Sequence, residues 1–323
     1  MNGTVYPMPF GAKLVDGGGA AFSLWAPGIT LVELEHAAFD QFAAHAMQRD
    51  IEGGDHLHLP SARAGDHYRF RMPDGLLVPD PASRFNPGDV HAASQIIDPT
   101  QYSWQDGHWR GRPWHEAVIY ELHVGTFTPE GTFAAARQRL PYLAELGITA
   151  VELMPVADFP GRRGWGYDGV LLFAPEAGYG TPDELRALVD TAHGLGLMVL
   201  LDVVYNHFGP EGNYLHVACP EFFNPAHQTP WGAAINFDGD HARTVRDFFI
   251  HNALYWIHEF HIDGLRVDAV HAIRDDSAQH IVREICARLQ DGPGRERALH
   301  VVLENDTNKA HLLARDTRGA VIT

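Results

Sequence analysis

The sequence predicts a multidomain β plus α/β chain, in which an N-terminal antiparallel β-sandwich is followed by an incomplete (β/α)8 barrel of the TIM type. Short runs of alternating apolar and polar residues, separated by Gly, Asp and Pro, fill the chain up to residue 103, and this pattern is typical of a sandwich. After residue 116 the pattern changes to strand, loop and helix in repetition, which favours a parallel sheet covered by helices. At 323 residues the chain is long enough for both parts.

The predicted sandwich covers residues 1–103. Its strand-like runs are AAFSLWAP, LVELEH, DHLHLP and DHYRFRMP. The Pro-rich stretch after them, PDPASRFNPGDVHAASQIIDP, keeps the apolar residues Phe85, Val90 and Ile96. We therefore expect an ordered loop that packs on a neighbouring surface. Residues 104–116 are predicted to form a linker, and residues 117–323 the partial barrel.

Five apolar segments of strand length alternate with helical segments in the barrel region. The strands are predicted at residues 117–124, 148–156, 197–204, 263–270 and 298–306. The helices are predicted at residues 132–147, 181–196, 241–260 and 276–292. Thr181 and Glu184 form a capping box at the start of the second helix. Strands this continuously apolar are covered on both faces, so we expect all five to be buried.

Acidic residues decide between a barrel and an open, doubly wound sheet. They lie at or near the carboxyl ends of the five strands, as Glu121, Glu152, Asp202, Asp268 and Glu304. A barrel gathers all strand ends around one mouth, where active sites are built, whereas an open sheet uses one switch point, usually with a Gly-rich phosphate turn. GWGYDG at 164–169 matches such a turn by spacing alone, because it does not directly follow a strand. We therefore predict a barrel.

The charge balance limits the class of substrate. The chain has 24 Lys and Arg against 41 Asp and Glu, which gives a formal net charge of −17. This balance disfavours nucleic acid, anionic membranes and phosphorylated substrates, because all of them call for basic patches. No apolar run approaches the roughly 20 residues of a membrane span. A neutral polar substrate such as a sugar fits best.

Cysteine and histidine usage predicts the location and the metal content. Cys219 and Cys286 are too few for a disulfide framework, and no secretory signal is visible, so we expect reduced thiols in the cytoplasm. Neither HExxH nor CxxC occurs. His258 and His261 are three residues apart, but this spacing fits a helix that runs into a strand better than a pair of ligands. We predict no metal and no cofactor.

Arg266 and Asp268 stand two residues apart in the strand GLRVDAVH, so their side chains project in the same direction. The guanidinium is expected to lower the pKa of Asp268 and to keep it ionised, although a structural ion pair is the alternative. Glu304 follows three apolar residues near the end of the next strand, where we expect a raised pKa and a proton-donating role. An ionised and a protonated carboxyl group on adjacent strands is the pair that glycoside hydrolysis requires.

Two further groups of residues could contact a sugar. DVVYNH places Asp202 near the end of the third strand, and Asn206 and His207 in the loop that follows. GRRGWGYDGV supplies Trp165 and Tyr167 after the second strand, and flat aromatic faces stack on pyranose rings. Taken alone, these residues also fit ordinary packing roles.

Three short blocks lie in order on strands three, four and five. DVVYNH, GLRVDAVH and LEND resemble, in that order and position, the α-amylase superfamily of glycoside hydrolases. YELHVGTFTPEGTF, ELMPVADFPGRRGWGYDGV and TPWGAAINFDG are similar to the branch of that superfamily that releases trehalose from maltooligosyl trehalose. SLWAP and PDPASRF fit the β-sandwich module of the same branch, so the resemblance covers nearly the whole chain.

The resemblance implies a role for each site residue. It makes Asp268 the nucleophile and Glu304 the general acid/base, with Arg266 orienting Asp268. It also implies that His207 and His271 contact the substrate. The residues implied to support the sugar at the cleavage point are Asp202, Asn206 and Tyr167. The implied reaction is a retaining hydrolysis of the α-1,4-glucosidic bond next to the terminal trehalose of maltooligosyl trehalose.

The sequence departs from the superfamily in one respect. The third catalytic carboxylate of the superfamily lies in a His-Asp block at the seventh barrel strand, and no such block follows residue 304. We therefore expect a truncated enzyme that holds strands one to five and is weakly active or inactive by itself. Two alternatives stay open: an α-1,4-glucan branching enzyme with the same layout and catalytic pair, and a non-catalytic glucan-binding remnant.

Overall fold

The computed structural model describes residues 5–38, 41–307 and 312. The N-terminal strands are β1 Gly11–Leu14, β2 Ala20–Trp25, β3 Glu33–Ala38, β4 Gln41–Ala46, β5 Gln48–Arg49, β6 Gly54–Leu59, β7 His67–Arg71, β8 Leu77–Val78 and β9 Ser94–Gln95. They build two antiparallel sheets, in the orders β1-β2-β6-β5 and β4-β3-β7-β8, with β9 paired to β7. The rings of Phe22 and Tyr68 meet between the two sheets at 5.0 Å, so the predicted β-sandwich is confirmed.

The second part of the chain holds the later strands and the α-helices. The strands are β10 Ile119–Leu122, β11 Ala150–Leu153, β12 Ala157–Asp158, β13 Leu171–Pro175, β14 Met198–Val203, β15 Phe223–Thr229, β16 Gly232–Ile235, β17 Gly264–Val267 and β18 His300–Leu303. The helices are α1 Val124–Phe127, α2 Phe133–Glu145, α3 Pro182–Gly194, α4 Leu215–Ala218, α5 Ala242–Glu259 and α6 Ile281–Asp291. Within the described residues, none of these helices has the length and apolar character needed to cross a bilayer.

Five strands form one parallel sheet in the order β10-β11-β14-β17-β18. The long helices α2, α3, α5 and α6 lie in the successive crossovers between these strands. The order of the strands in the sheet follows their order in the chain without reversal. A barrel requires this order, whereas a doubly wound sheet reverses it at the switch point. The predicted partial (β/α)8 barrel is therefore confirmed. The hairpins β12–β13 and β15–β16 extend the loops that follow β11 and β14.

Local hydrogen bonds set the starts of the helices. Thr181 and Glu184 form the predicted capping box of α3. The helix predicted from residue 276 begins five residues later, at Ile281. The cause is Asp275, whose carboxylate accepts hydrogen bonds from the backbone N–H of Ser277 at 3.0 Å and of Ile281 at 2.6 Å, so that the intervening residues form a turn.

All five predicted strands of the parallel sheet are shorter than expected, and in two of them the early end precedes a predicted catalytic residue. The strand predicted at 263–270 ends at Val267, because Ala269 adopts a left-handed conformation with φ 42° and a 3-10 turn follows it. The strand predicted at 298–306 ends at Leu303. Asp268 and Glu304 consequently lie just beyond the strand ends instead of within the strands.

The two end strands depart from the prediction that all five strands are buried, because β10 is largely exposed and β18 is only partly buried. Ile119 and Tyr120 are 38% and 37% exposed. The strands β11 and β14, in contrast, are buried along their whole length. The reason is position, because β10 stands at one end of the strand order and no described strand pairs with its outer edge. An apolar sequence pattern indicates that a strand is suited to burial. It does not indicate that a neighbouring strand is present on each side.

A buried ion triad joins the segment after β8 to the helices of the barrel. Nη1 of Arg84 lies 3.4 Å from Oε1 of Glu259 at the end of α5. Nη2 of Arg186 on α3 lies 3.7 Å from Oε2 of the same carboxylate. All three side chains are almost fully buried, and the guanidinium of Arg84 also lies over the ring of Tyr255. The stretch predicted to be an ordered packing loop is therefore anchored on the barrel, and the domain boundaries at residues 103 and 117 stay predictions.

A buried histidine holds the predicted linker against the amino-terminal end of the parallel sheet. Nδ1 of His193 donates to Asp106 at 2.8 Å, and Nε2 donates to Asp263 at 2.9 Å. Because a carboxylate only accepts hydrogen bonds, these two contacts favour the form of His193 that carries a proton on both ring nitrogens. Burial by itself lowers the pKa of His193, but the two carboxylates outweigh burial and raise it. Trp109 stacks on this ring and donates to Asp263 at 2.7 Å.

Candidate active site

The carboxyl ends of β17 and β18 bring the two predicted catalytic carboxylates to one edge of the sheet. Val267 and Leu303 are partners in the register of these strands. Asp268 and Glu304 are the next residues on the two strands. The two side chains therefore leave adjacent strands at the same level, and neighbouring strands are about 4.8 Å apart.

Arg266 links two carboxylates through a single nitrogen. Its Nη1 donates to Oδ2 of Asp202 at 2.8 Å and to Oδ1 of Asp268 at 2.8 Å. The hydroxyl group of Tyr167 donates to the same Oδ2 of Asp202 at 2.9 Å. The backbone N–H of Asp268 donates to the carbonyl oxygen of Val203 on β14 at 3.0 Å. The predicted pair of Arg266 and Asp268 is thus part of a network that joins the ends of β14 and β17 and the loop that carries Tyr167.

The pKa of Asp268 is raised, whereas the sequence predicted that Arg266 lowers it. Burial is the largest cause, because withdrawing the carboxyl group from water disfavours its charged form. The negative charge of Glu304 raises the pKa further. Arg266 acts in the predicted direction but does not outweigh burial, and its charge is shared with Asp202.

Backbone hydrogen bonds connect Glu304 with the loop after β17. The N–H of Ala269 donates to Oε2 of Glu304 at 2.8 Å. The N–H of Val270 donates to the carbonyl oxygen of Glu304 at 3.0 Å, and the N–H of Glu304 donates to Val267 at 3.1 Å. The side chain of Glu304 stays partly exposed. One carboxylate oxygen therefore has a fixed donor.

Asp202 and Asn206 are buried instead of facing open space. Each residue is only 2% exposed. Burial raises the pKa of Asp202 to about 7, although Arg266 and Tyr167 both act to lower it. The amide nitrogen and oxygen of Asn206 are buried, and neither has a hydrogen-bond partner among the described residues. Of these two residues, Asp202 contacts Arg266 and Tyr167, and the predicted role of Asn206 stays a prediction.

The two predicted ligand-contacting histidines flank this region. Nε2 of His207 lies 3.0 Å from the carbonyl oxygen of Tyr167, and burial lowers the pKa of His207, so the ring is neutral at pH 7. The ring of His207 is nearly parallel to that of Trp231, with 5.3 Å between the centroids and 15° between the planes. Nδ1 of His271 lies 3.6 Å from Oδ1 of Asp306, too far for a hydrogen bond.

Two tryptophan rings near these side chains are open to solvent. Trp165 is 62% exposed, and its ring lies 5.0 Å from that of His123, which follows β10. Trp231 is 50% exposed in the turn between β15 and β16. Sequence reasoning missed Trp231 and His123. The signal for Trp231 was an aromatic residue in a Pro-Trp-Gly turn, but its contact with His207 depends on the fold of the hairpin.

One group of potential metal ligands comes together within the part of the chain that the structure describes, and it contains none of the predicted site residues. Nε2 of His227 lies 2.8 Å from Asp238 and 3.9 Å from Asp276. The first distance is a hydrogen bond, and the side chain of Asp276 is 88% exposed. His258 and His261, which are three residues apart in the sequence, do not form a pair of ligands. His258 stacks on Tyr6, and His261 donates to Asp106.

The family model of the alpha amylase catalytic domain matches residues 83–253, which is more than half of the chain. The chain belongs to this alpha-amylase family. The match includes the block DVVYNH with Asp202, Asn206 and His207, and it ends before Asp268 and Glu304.

Relatives within the alpha-amylase family extend the likeness over most of the chain. A malto-oligosyltrehalose trehalohydrolase from Saccharolobus solfataricus is 49% identical over 278 residues, which are 86% of this chain and 48% of the relative. A candidate alpha amylase from Salmonella typhimurium has a crystal structure that covers 98% of this chain and 53% of its own, with 46% identity and a TM-score of 0.92. A 1,4-alpha-glucan branching enzyme from Burkholderia thailandensis is 38% identical over 277 residues, 78% of this chain and 33% of the relative. The chain spans about half the length of the trehalohydrolase that it matches.

In this alpha-amylase family chain, direct contacts join five of the predicted site residues near the carboxyl ends of the strands. Arg266 contacts both Asp202 and Asp268, Tyr167 contacts Asp202, and His207 lies against the backbone of Tyr167. The arrangement offers the partly buried carboxyl group of Asp268, that of Glu304 at the end of the adjacent strand and two exposed tryptophan rings. The catalytic roles of the individual residues stay predictions.

Proposed function

We propose that the protein is a retaining glycoside hydrolase that cleaves the α-1,4-glucosidic bond next to the terminal trehalose of maltooligosyl trehalose. The observation that carries the proposal is the placement of Asp268 and Glu304 at the ends of adjacent strands, with Arg266 bonded to Asp268. The name of the trehalohydrolase relative, which is 49% identical, supports this choice of substrate. A neutral glucan also agrees with the net charge of −17.

In the first step the carboxylate of Asp268 attacks the anomeric carbon of the glucosyl unit. Glu304 gives its proton to the bridging oxygen, the bond between carbon and oxygen breaks, and trehalose leaves. Arg266 holds the ionised form of Asp268, while burial makes that form more basic and so a stronger nucleophile. We expect activity to fall at acid pH, where Asp268 takes up a proton.

In the second step Glu304 acts as a base. It takes a proton from a water molecule, whose oxygen attacks the anomeric carbon and releases Asp268. Two inversions at the same carbon retain the α configuration. The mechanism needs the two carboxyl groups about 5–5.5 Å apart, which side chains from adjacent strands can reach.

The open aromatic rings fit the proposed substrate. The faces of Trp165 and Trp231 are available for stacking on glucosyl rings, because about half or more of each residue is exposed. His207 lies parallel to Trp231, and His271 lies on the 3-10 turn that follows Asp268. We assign all four residues to glucan binding.

Product analysis tests the proposal. Residues 1–323 and a protein of the full length of the relatives are each incubated with maltooligosyl trehalose and with linear α-glucan. We expect free trehalose and a maltooligosaccharide of retained configuration. New α-1,6 branch points without trehalose would establish the branching enzyme alternative, for which the 38% identical relative is the supporting observation.

The second alternative is a glucan-binding protein without turnover, and measurable glucan binding with no product from either length would establish it. The bond between Arg266 and Asp268, with Glu304 at the end of the adjacent strand, counts against this alternative. We also propose a cytoplasmic location, for which the low cysteine count is the supporting observation.

A further inference from the structure

Ala269 has an unusual backbone conformation at a sensitive place in the chain. Its φ of 42° and ψ of 51° lie in the left-handed region, which residues with a Cβ rarely adopt. Only four non-glycine residues in the described part of the chain have positive φ, and Ala269 is the one that directly follows Asp268. Conformations of this kind persist where the surrounding structure imposes them, and they concentrate at functional sites.

The left-handed turn directs two successive N–H groups to the same residue. Ala269 donates to Oε2 of Glu304 at 2.8 Å, and Val270 donates to the carbonyl oxygen of Glu304 at 3.0 Å. In an extended strand, successive N–H groups point to opposite sides, so only one of them could reach Glu304. The turn therefore converts the end of β17 into a double donor for the neighbouring strand.

We propose that Ala269 is a positioning residue, whose N–H keeps Oε2 of Glu304 as a hydrogen-bond acceptor so that Oε1 alone carries the catalytic proton. The inference rests on the proposed function, in which Glu304 is the general acid/base. A protonated carboxyl group has one hydroxyl oxygen and one carbonyl oxygen, and the carbonyl oxygen is the better acceptor for an N–H group. A fixed donor on Oε2 thus selects the oxygen that faces the glycosidic bond.

The same contact strengthens as the reaction proceeds. When Oε1 gives its proton to the bridging oxygen, the bond from that oxygen to the anomeric carbon breaks and an oxygen of Asp268 bonds to the carbon. The negative charge that remains on Glu304 spreads to Oε2, where the hydrogen bond from Ala269 becomes charge-assisted. An interaction that is stronger in the transition state than in the ground state accelerates the step. When Oε1 later takes a proton from water, the contact weakens again.

Backbone ester variants test the inference one hydrogen bond at a time. Replacing Ala269 by lactic acid exchanges the amide N–H for an ester oxygen and keeps the methyl group. The matched control replaces Val270 by its hydroxy acid analogue, which removes the neighbouring bond to the carbonyl oxygen of Glu304. Ala269→Gly is a second control, because it keeps the N–H group and accepts the left-handed backbone.

The rates are measured in the form of the protein that hydrolyses glucan. We expect the ester at position 269 to lower the rate of hydrolysis of the natural substrate about tenfold more than that of an aryl glycoside with an activated leaving group. The basic limb of the pH–activity profile moves to higher pH, because the ionised form of Glu304 loses a donor. The ester at 270 and Ala269→Gly keep the wild-type dependence on the leaving group. Equal slowing of both substrates, or equal effects of the two esters, overturns the inference.

A titration that needs no turnover gives a second readout in residues 1–323 themselves. The carboxyl ¹³C signal of Glu304, assigned with Glu304→Gln, is followed against pH in the wild type and in both esters. Its midpoint moves to higher pH in the ester at 269 only, and an unmoved midpoint in that ester overturns the inference. Glu304→Gln also separates the two proposals. If Glu304→Gln lowers the rates of hydrolysis of the natural substrate and of the aryl glycoside equally, the proposed role of Glu304 is wrong. If it lowers the rate of the natural substrate more and the ester at 269 does not, only the proposed role of Ala269 is wrong.

Discussion

Nη1 of Arg266 donates to Asp202 and to Asp268 at the same distance, 2.8 Å. Asp202 is 2% exposed, and burial raises its pKa to about 7. Near neutral pH this buried carboxyl group therefore changes its charge while it shares a cation with Asp268. When Asp202 ionises, less of the guanidinium charge is left to stabilise Asp268, so the two carboxyl groups titrate as a connected pair.

At the level of single residues, Asp268→Asn is expected to lower kcat at least about a thousandfold, because an amide cannot form the covalent intermediate. Glucan binding stays measurable, since the open faces of Trp165 and Trp231 are unchanged. The measurements are steady-state hydrolysis and calorimetric titration in the active form of the protein. Asp291→Asn, at the exposed end of α6, is the control and keeps full activity. A variant at 268 with most of its activity would remove the nucleophile from the mechanism.

The sequence identifies which residues meet, but not how strongly each is desolvated. Arg266, Asp268 and Glu304 stand in short blocks at strand ends, so their common location follows from the strand pattern. The direction of the pKa shift of Asp268 does not follow, because burial depends on the loops and strands packed around that carboxyl group. Trp231 was missed for the same reason, since its partner His207 comes from another loop.

At the level of elements, features that depend on adjacent residues were predictable and features that depend on a distant partner were not. The capping box of α3 is complete within Thr181–Glu184, and it forms as predicted. The ends of β17 and β18 instead depend on the left-handed Ala269 and its bond to the neighbouring strand. Apolar periodicity continues through both ends, so the pattern extends these strands too far.

The bonds of His193 lead to a pH-dependent contribution to stability. The pKa of His193 in the folded state is raised above its unfolded value of about 6.5. Its contribution to the free energy of unfolding is therefore complete below about pH 6.5, and it is lost as the pH rises through the folded-state pKa. His193→Gln is expected to lower the free energy of unfolding by about 3–5 kcal/mol at acid pH, because Asp106 and Asp263 lose the cation between them. The difference from the wild type narrows at alkaline pH.

Urea unfolding across a pH series measures this effect. His108→Gln is the matched control, because His108 lies exposed in the same linker. This control is expected to follow the wild type at every pH. A constant difference between His193→Gln and the wild type would show that His193 does not titrate between the folded and unfolded states in this range.

At the level of the whole molecule, the sequence predicts that the β-sandwich precedes the partial barrel. It does not predict that the edge strand β10 is exposed. The change from period-two runs to alternating strands and helices predicts the sandwich and the partial barrel in the correct order. Whether β10 is covered depends on strands beyond β18, and no described residue provides one. An exposed parallel edge with apolar side chains is a site for association with a second chain.

We expect residues 1–323 to self-associate through β10, and Tyr120→Lys to reduce this association. A charged side chain on an edge strand opposes pairing with another edge, and Tyr120 is already 37% exposed, so the substitution costs little stability. Sedimentation velocity over a concentration series measures the effect. Ile51→Lys, at a fully exposed position of the sandwich, is the control and leaves the sedimentation profile unchanged. Equal profiles for Tyr120→Lys and the wild type would place the contact elsewhere.

The triad of Arg84, Glu259 and Arg186 limits how this molecule could be dissected or recombined. Glu259 receives one guanidinium from its own barrel and one from the segment that follows the sandwich. A fragment that starts after that segment would keep the acid, lose half of its neutralising charge and uncover the face of Tyr255. The sandwich module of another protein therefore cannot simply replace this one. The replacement also has to supply an arginine that contacts Glu259 at the position of Arg84.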